Sequence, residues 1–304
     1  MKVRILGAAA GGGFPQWNCF CEVCEAARRS PPAAKPRMQS CIGISSDSKK
    51  WFVINAPPDL ARQIASFNYH PPANAKRGTA LEGIMLTNAD LDHTLGLFLL
   101  REGQNLNVWA TPVIKNLLCK NLRIDAVLGS YCGINFHTPP AVPVELHYSD
   151  GSPSSLLMGA IEVSGHAPRY TAGEAVDGIT TIGYRIVDPK TGGRLVCLPD
   201  IASFNHQVRH ELQNADVVLV DGTFWSDDEL IRTGTGSLRA RDMGHLPVGD
   251  AGGILENVSH LKAKHKIFIH INNTNPMLLE NSPQRKAVEQ AGCVVGWDSM
   301  EIEI

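Results

Sequence analysis

The chain has no excess of charge of either sign: 28 Lys and Arg stand against 30 Asp and Glu in 304 residues, a formal charge of −2. Neutralising a phosphate backbone takes a basic surplus, so general nucleic-acid binding is disfavoured. Long apolar runs are missing too, and no window approaches the ~18 apolar residues of a membrane-spanning helix. The start, Met1-Lys2-Val3-Arg4-Ile5-Leu6-Gly7, has charge inside its short apolar run and no signal-peptide architecture. No tandem repeat is visible. Gly7 and Gly11-Gly12-Gly13 do not meet the G-x-G-x-x-G spacing of a dinucleotide site, and are expected to serve tight turns instead. These absences describe a soluble, cytoplasmic chain with no nucleic-acid partner and no membrane insertion.

What remains is a turn-rich globular composition, 43% hydrophobic and 19% charged, with 28 Gly and 19 Pro. Short β-branched runs bounded by Gly, Pro, Asn or Asp predict strands at Val3–Leu6, Trp51–Asn55, Gly83–Leu86, Val108–Ala110, Val144–Leu146, Ile161–Ser164, Thr181–Val187, Arg194–Leu198, Val217–Val220 and Lys266–Ile269. Helices are expected at Thr94–Leu100, Pro112–Leu118, Phe204–Asn214 and Val248–Leu261, and from Ser282-Pro283 to a stop at Gly292. The pattern suits one α/β domain over residues 1–304, with sheets layered between helices.

Three of the eight cysteines fall within six residues, Cys19-Phe20-Cys21-Glu22-Val23-Cys24. Three thiolates on one tight loop suit tetrahedral zinc, with the fourth ligand brought from a distant segment. Buried free thiols or a redox pair are the plainer explanations, although so short a spacing is hard to bridge without strain. The expected role is a closed, structural zinc loop at 19–24 that could also support a homodimer contact. Cys41, Cys119, Cys132, Cys197 and Cys293 stand singly, as reduced core cysteines do in the cytosol.

A second cluster is scattered along the chain. Thr87-Asn88-Ala89-Asp90-Leu91-Asp92-His93 directly follows a strand. Taken alone, an Asp helix cap with His93 in the first turn explains it. Three later residues shift the balance: His166 after a strand, Asp200 closing Leu195–Leu198, and His270 ending Ile267–Ile269. Polar side chains placed repeatedly at strand ends build a metal site on one rim of a sheet.

This order of motifs resembles the metallo-β-lactamase superfamily, especially its transfer-RNA 3′-processing nucleases and phosphonate-pathway phosphodiesterases, over nearly the full length. The resemblance implies an αββα sandwich. In the family motif H-x-H-x-D-H, the leading histidines correspond to Asn88 and Asp90, while Asp92 and His93 match. His166, Asp200 and His270 match later ligands, and Gly244-His245 matches the segment with the nucleases' extra catalytic histidine. One metal's set thus becomes Asn88, Asp90 and His166, weak for zinc, whereas Asp92, His93 and His270 stay intact with Asp200 nearby. Two histidines and a carboxylate with open positions suit non-haem iron(II), and two-metal hydrolysis is placed in doubt.

The substituted motif, the cysteine loop and His270-Ile271-Asn272-Asn273-Thr274-Asn275-Pro276 together resemble a family acting in pyrroloquinoline quinone biosynthesis. That resemblance implies either an iron-dependent hydroxylase acting with dioxygen on the tyrosine ring of a Glu-Tyr unit, or a carrier that moves the quinone or its precursor to the periplasm. A divalent-metal phosphodiesterase is the further alternative. His166, Asp200 and Asp90 would tune the ion, hold a second metal weakly or relay protons, and His245 would act as acid/base or cap a helix. Arg169 and Arg185 could meet a substrate carboxylate, although solvated arginines explain them as well. The fourth ligand of the phosphodiesterases' cysteine site corresponds to Asn273, a poor zinc ligand.

Overall fold

The structure is a computed structural model describing residues 1–30, 32–171 and 175–304. Its strands, in chain order, are β1 (Lys2–Gly7), β2 (Cys41–Ser45), β3 (Trp51–Ile54), β4 (Leu81–Met85), β5 (Leu106–Trp109), β6 (Ile134–His137) and β7 (Val144–His147). They continue with β8 (Pro153–Glu162), β9 (Ile182–Val187), β10 (Arg194–Leu198), β11 (Val217–Asp221), β12 (His265–Ile269), β13 (Val294–Val295) and β14 (Met300–Glu303). Two seven-stranded sheets result, ordered β14-β1-β2-β3-β4-β5-β6 and β13-β12-β11-β10-β9-β8-β7. Each is antiparallel in one half and parallel in the other, with β3 to β6 and β10 to β13 parallel.

Alternation along the parallel strands explains the layering. On β11, Val217 and Leu219 enter the layer between the sheets, while Val218 and Val220 turn to the helices outside. Ile267 and Ile269 on β12 face inward in the same way, with Phe268 outward. Strands buried on both faces read as continuous apolar runs, as these do. The inner layer joins Ile5, Ile44 and Phe52 of one sheet to Tyr184, Leu195 and Ile267 of the other. Beyond the first sheet, Trp51, Val53 and Ile84 pack on the helices Leu60–Ala65, Pro112–Asn121 and Ile124–Gly129. The arrangement is the expected αββα sandwich. Among the described residues no helix is long and apolar enough to cross a membrane.

Several helices carry their own start signals. Thr111, Asn205 and Ser282 each accept a backbone N–H of the first turn, and Pro112 and Pro283 occupy first-turn positions where no donor is needed. Gly292, at φ 68, follows the last of these helices. Other expectations need correction. The helix expected over Val248–Leu261 forms only at Ile254–Ser259, because Gly249, Gly252 and Gly253 keep the preceding segment irregular. The expected Thr94–Leu100 helix is a short α-turn, Leu91–Thr94, running into a 3₁₀ segment, Leu95–Leu100. The cysteine segment is only half a loop: Cys21 is the N-cap of a helix, Glu22–Arg29, that buries Cys24.

Candidate metal centre

Chain direction decides where the site lies. Parallel strands β4, β10, β11 and β12 all end at one rim, so the residues just past each end converge there. These are Thr87–His93 after β4, Asp200 after β10, Asp221 and Thr223 at the end of β11, and His270 after β12. Binding sites in open α/β sheets form at such carboxyl ends. The segment after β1 seals the floor, where Ala10 N donates to Ile271 O and Ile271 N to Ala8 O. It brings Gly11 against Asp92, where an added Cβ would lie 3.0 Å from Asp92 Oδ2. His270 sits at φ 53, a left-handed conformation uncommon outside glycine and enriched at functional sites.

Ligand atoms of Asp92, His93 and His270 lie within 4.8 Å of one another. Asp92 Oδ2 is 3.2 Å from His270 Nε2 and 3.8 Å from His93 Nε2. His93 is 1% exposed, and its Nε2 is buried with no hydrogen-bond partner. A buried imidazole nitrogen left without a partner is costly, and a cation held with Asp92 and His270 would satisfy it. The hydrogen bonds behind the rings support the same assignment. Thr87 Oγ1 donates to Asn55 Oδ1, so it accepts the proton of His93 Nδ1 at 3.1 Å. Thr223 Oγ1 donates to Asp221 Oδ1 at 2.6 Å and accepts from His270 Nδ1 at 2.9 Å. With Nδ1 of each ring engaged in this way, Nε2 is the nitrogen left to ligate a metal, which would take the place of any proton there.

Charge in this rim is strongly coupled. Burial opposes ionisation of Asp92, yet His93 and His270 hold it well below the usual carboxylate range. Burial opposes the charged form of His270 too, but Asp200 and Asp92 push it up to about 10. Burial lowers His93. Asp90 behaves oppositely to Asp92: burial, then repulsion from Asp92 and Asp200, raises it to about 7. A metal ion among these groups would add the largest local charge.

His245 and Asp200 form a neighbouring set with the same His270, again within 4.8 Å. Asp200 lies 3.6 Å from Nδ1 of both His93 and His270. His245 does not cap a helix. Its Nδ1 pairs with the fully buried Asp221 at 2.7 Å, which overcomes burial and raises the imidazole above its ordinary value.

Among the described residues, neither Asp90 nor His166 falls in a three-residue set of His, Cys, Asp or Glu donors. Asn88 Nδ2 donates to Asp200 and its Oδ1 accepts Asp90 N–H, so both ends of the amide are engaged. His166 is exposed, beside Gly244, and with Asp90 lines a cavity of about 770 Å³ above the metal ligands. Arg169 lines the same cavity. Arg185 is elsewhere, bound to Glu211 and to Ala141 O, and is not available to a ligand here.

The cysteine cluster meets the segment after His270 at Asn273. Sγ atoms of Cys19, Cys21 and Cys24 lie within 4.8 Å of one another. Hydrogen bonding from Cys21, against the effect of burial, pulls Cys24 down to about 5. Asn273, three residues after His270, is buried, and its Nδ2 donates to Cys24 Sγ at 3.3 Å. Its backbone carbonyl is 3.8 Å from both Cys21 and Cys24 Sγ. Asn273 thus ties the N-terminal segment to the loop after β12, and three soft donors at this spacing fit zinc. Cys41, Cys197 and Cys293 are buried and Cys119 and Cys132 half-buried, all unpaired.

A model of the beta-lactamase superfamily domain matches residues 50–271. The chain is 40% identical over its full length to coenzyme PQQ synthesis protein B of Azoarcus sp., with 100% of both chains covered. It is 39% identical to the protein of the same name from Cupriavidus necator, covering 100% of this chain and 99% of that one. The chain belongs to the coenzyme PQQ synthesis protein B family. Zn(2+)-bound PqqB from Methylobacterium extorquens shares the fold at a TM-score of 0.89 and 32% identity, with 100% of each chain covered. A diphosphatase of the PhnP family follows at 0.68 and 19% identity, covering 100% of this chain and 97% of that one, a likeness of fold alone. Within the PQQ synthesis protein B family, then, this chain presents one buried carboxylate–imidazole set suited to a divalent metal and one thiolate set suited to zinc.

The sequence pointed to Asp92, His93 and His270 but not to the parts played by Thr87, Thr223 and Asp221, and it assigned Gly11 only to a tight turn. Thr223 and His270 are 47 residues apart, so no spacing could link them. The nearer signal was Thr87, six residues before His93 at a strand end.

Proposed function

We propose that the protein acts in PQQ biosynthesis as a non-haem iron(II) oxygenase that hydroxylates the tyrosine ring of a Glu-Tyr substrate with dioxygen, in the cytoplasm. The observation that carries this reading is the mononuclear donor set: Asp92, His93 and His270 gathered on one side, with His93 Nε2 buried and unpaired. One carboxylate and two imidazoles with open positions suit iron(II) and oxygen chemistry. The relatives' names supply the pathway, and eight unpaired cysteines suit a reducing compartment.

Asp92, His93 and His270 would hold the ion, and Thr87 and Thr223 would fix the two rings. Iron(II), when bound, supplies dioxygen activation for ring hydroxylation. Inserting one oxygen atom and releasing the other as water takes two electrons and two protons from an external reductant. Asp90 lies on the cavity wall where it can exchange a proton with the ring hydroxyl. His245, oriented by Asp221, which raises its imidazole against the effect of burial, is the second proton carrier at this rim. Leu91, Leu95, Tyr170 and Phe224 give the cavity apolar and aromatic wall for a phenol ring. Hydrolysis between two ions fits these residues poorly, because Asn88, at a leading histidine's position, is committed to Asp200 and Asp90.

The test is anaerobic loading with iron(II), then addition of Glu-Tyr, a reductant and oxygen, with the product identified by mass. One added oxygen on the ring is expected from the wild type. His93→Ala should lose both the iron and the product while keeping the fold, as read by circular dichroism. Undiminished ring oxidation in His93→Ala overturns the mechanism.

A further inference from the structure

The metal cavity does not end at the metal. A second cavity of about 930 Å³ lies over the cysteine segment and the loop after Leu230. The two share Gly11, Arg169, Met243 and Asn272 as lining residues, so they form one bent cleft with these four at its neck.

The two halves differ in charge. Carboxylates of Asp90, Asp92, Asp200 and Asp242 line the metal half. In the other half Arg169 is the one cationic lining residue among the described residues, and no Asp or Glu lines it. The rest of that wall includes Asn18, Thr233, Ser237 and Asn273, beside Cys19 and Cys21 of the thiolate set. Among the described residues the guanidinium of Arg169, which is exposed, has no hydrogen-bond or ion-pair partner, unlike Arg185 with Glu211. An acidic group entering this cleft meets a free, forked cation at the neck. Arginine's planar donors match a carboxylate with two parallel bonds.

We propose that the cavity over the cysteine segment is a subsite for an acidic amino-acid moiety attached to the ring that enters the metal cavity, with Arg169 at the neck as its carboxylate receptor. This deepens the oxygenase reading and rests on it for the position of the ring. It fixes one orientation, with the ring toward Asp92, His93 and His270 and the carboxylate toward Arg169. The polar side chains beyond Arg169, Asn18, Thr233 and Ser237 among them, leave room for the peptide group and the rest of the acidic residue.

Binding to the redox-inert, zinc-loaded protein tests this apart from turnover. Calorimetry would compare Glu-Tyr, Gln-Tyr and tyrosinamide. A charge-assisted pair predicts that Glu-Tyr binds roughly tenfold more tightly than Gln-Tyr. Arg169→Gln should abolish that preference without changing tyrosinamide affinity, and Arg169→Lys should keep part of it. Equal binding of the two dipeptides by the wild type overturns the subsite, as does an Arg169→Gln loss that is equal for tyrosinamide. The two readings fail separately. A retained Glu-Tyr preference without ring oxidation in the iron-loaded protein removes the oxygenase and leaves the subsite. Ring oxidation of Glu-Tyr and Gln-Tyr at equal kcat/KM removes the subsite and leaves the oxygenase.

Discussion

Two threonine hydroxyls decide which nitrogen each metal-facing histidine offers. Thr87 spends its proton on Asn55 Oδ1 and Thr223 spends its proton on Asp221, so each accepts from an imidazole Nδ1. Replacing Thr87 by Val keeps the shape and deletes the acceptor. His93 Nδ1–H then loses its anchor in a buried setting, and the ring is free to take the other tautomer. Removing such an outer partner lowers metal affinity by roughly 10–100-fold in characterised sites. Thr87→Val is expected to weaken iron(II) or zinc binding at this site by that factor, read by competition with a chelator of known affinity. Unaltered affinity would show that the hydroxyl does not orient the ring. Nothing in the sequence could have assigned this role, because a threonine hydroxyl's direction is set only once Asn55 of β3 lies beside the end of β4. Asp92, His93 and His270 could be singled out only together, because polar residues recur at several strand ends in the order of a known motif, whereas the Asp92-His93 pair alone reads as a helix cap.

At the scale of elements, the loop after β11 and the loop after β12 must be held together for Thr223 to reach His270. Glu229 does this from the short helix Glu229–Arg232: its Oε2 accepts Trp225 N–H at 2.6 Å and its Oε1 accepts Thr274 Oγ1–H at 2.5 Å. Burial raises its carboxyl to about 7, against the lowering by Thr274 and Trp225. A raised folded-state value means that the native protein binds more protons than the unfolded chain between about pH 4.5 and 7. Glu229's contribution to stability is therefore greatest below pH 4.5 and falls as pH rises through 7, by at most about 3 kcal/mol. Comparing the metal-loaded wild type with Glu229→Met in urea, the wild type's advantage should be larger at pH 5 than at pH 8. An advantage that does not vary with pH would show that Glu229 does not titrate in this range. This helix was not legible in the sequence, nor were Glu22–Arg29, hidden behind the cysteine spacing, and β2, whose Cys41-Ile42-Gly43-Ile44-Ser45 has a glycine at its centre. β8 runs from Pro153 to Glu162 rather than from Ile161 to Ser164, because serines and Gly159 dilute its apolar alternation. The parallel strands β10 to β12 were read almost to the residue, since strands buried on both faces need unbroken apolar runs.

For the whole molecule, the metal set is a bridge between the two sheets. Asp92 and His93 follow β4 of one sheet and His270 follows β12 of the other, while between the sheets Tyr184 of β9 donates to Leu86 O just beyond β4. An ion held by all three residues links the layers and binds only the folded chain. It should stabilise by mass action, about 2.7 kcal/mol when the free metal is a hundredfold above its dissociation constant. Chelation is thus expected to lower the denaturation midpoint, with both sheets lost in one transition. The cysteine set complicates this result, because its zinc would also be removed, and the loop it clamps leads to His270 through Asn273. His93→Ala separates the two contributions, since it leaves Cys19, Cys21 and Cys24 intact. In that variant the metal-dependent shift should shrink to what the thiolates alone provide. If the shift in His93→Ala equals that of the wild type, all metal-dependent stability resides in the cysteine set, and the imidazole–carboxylate set does not tie the sheets together.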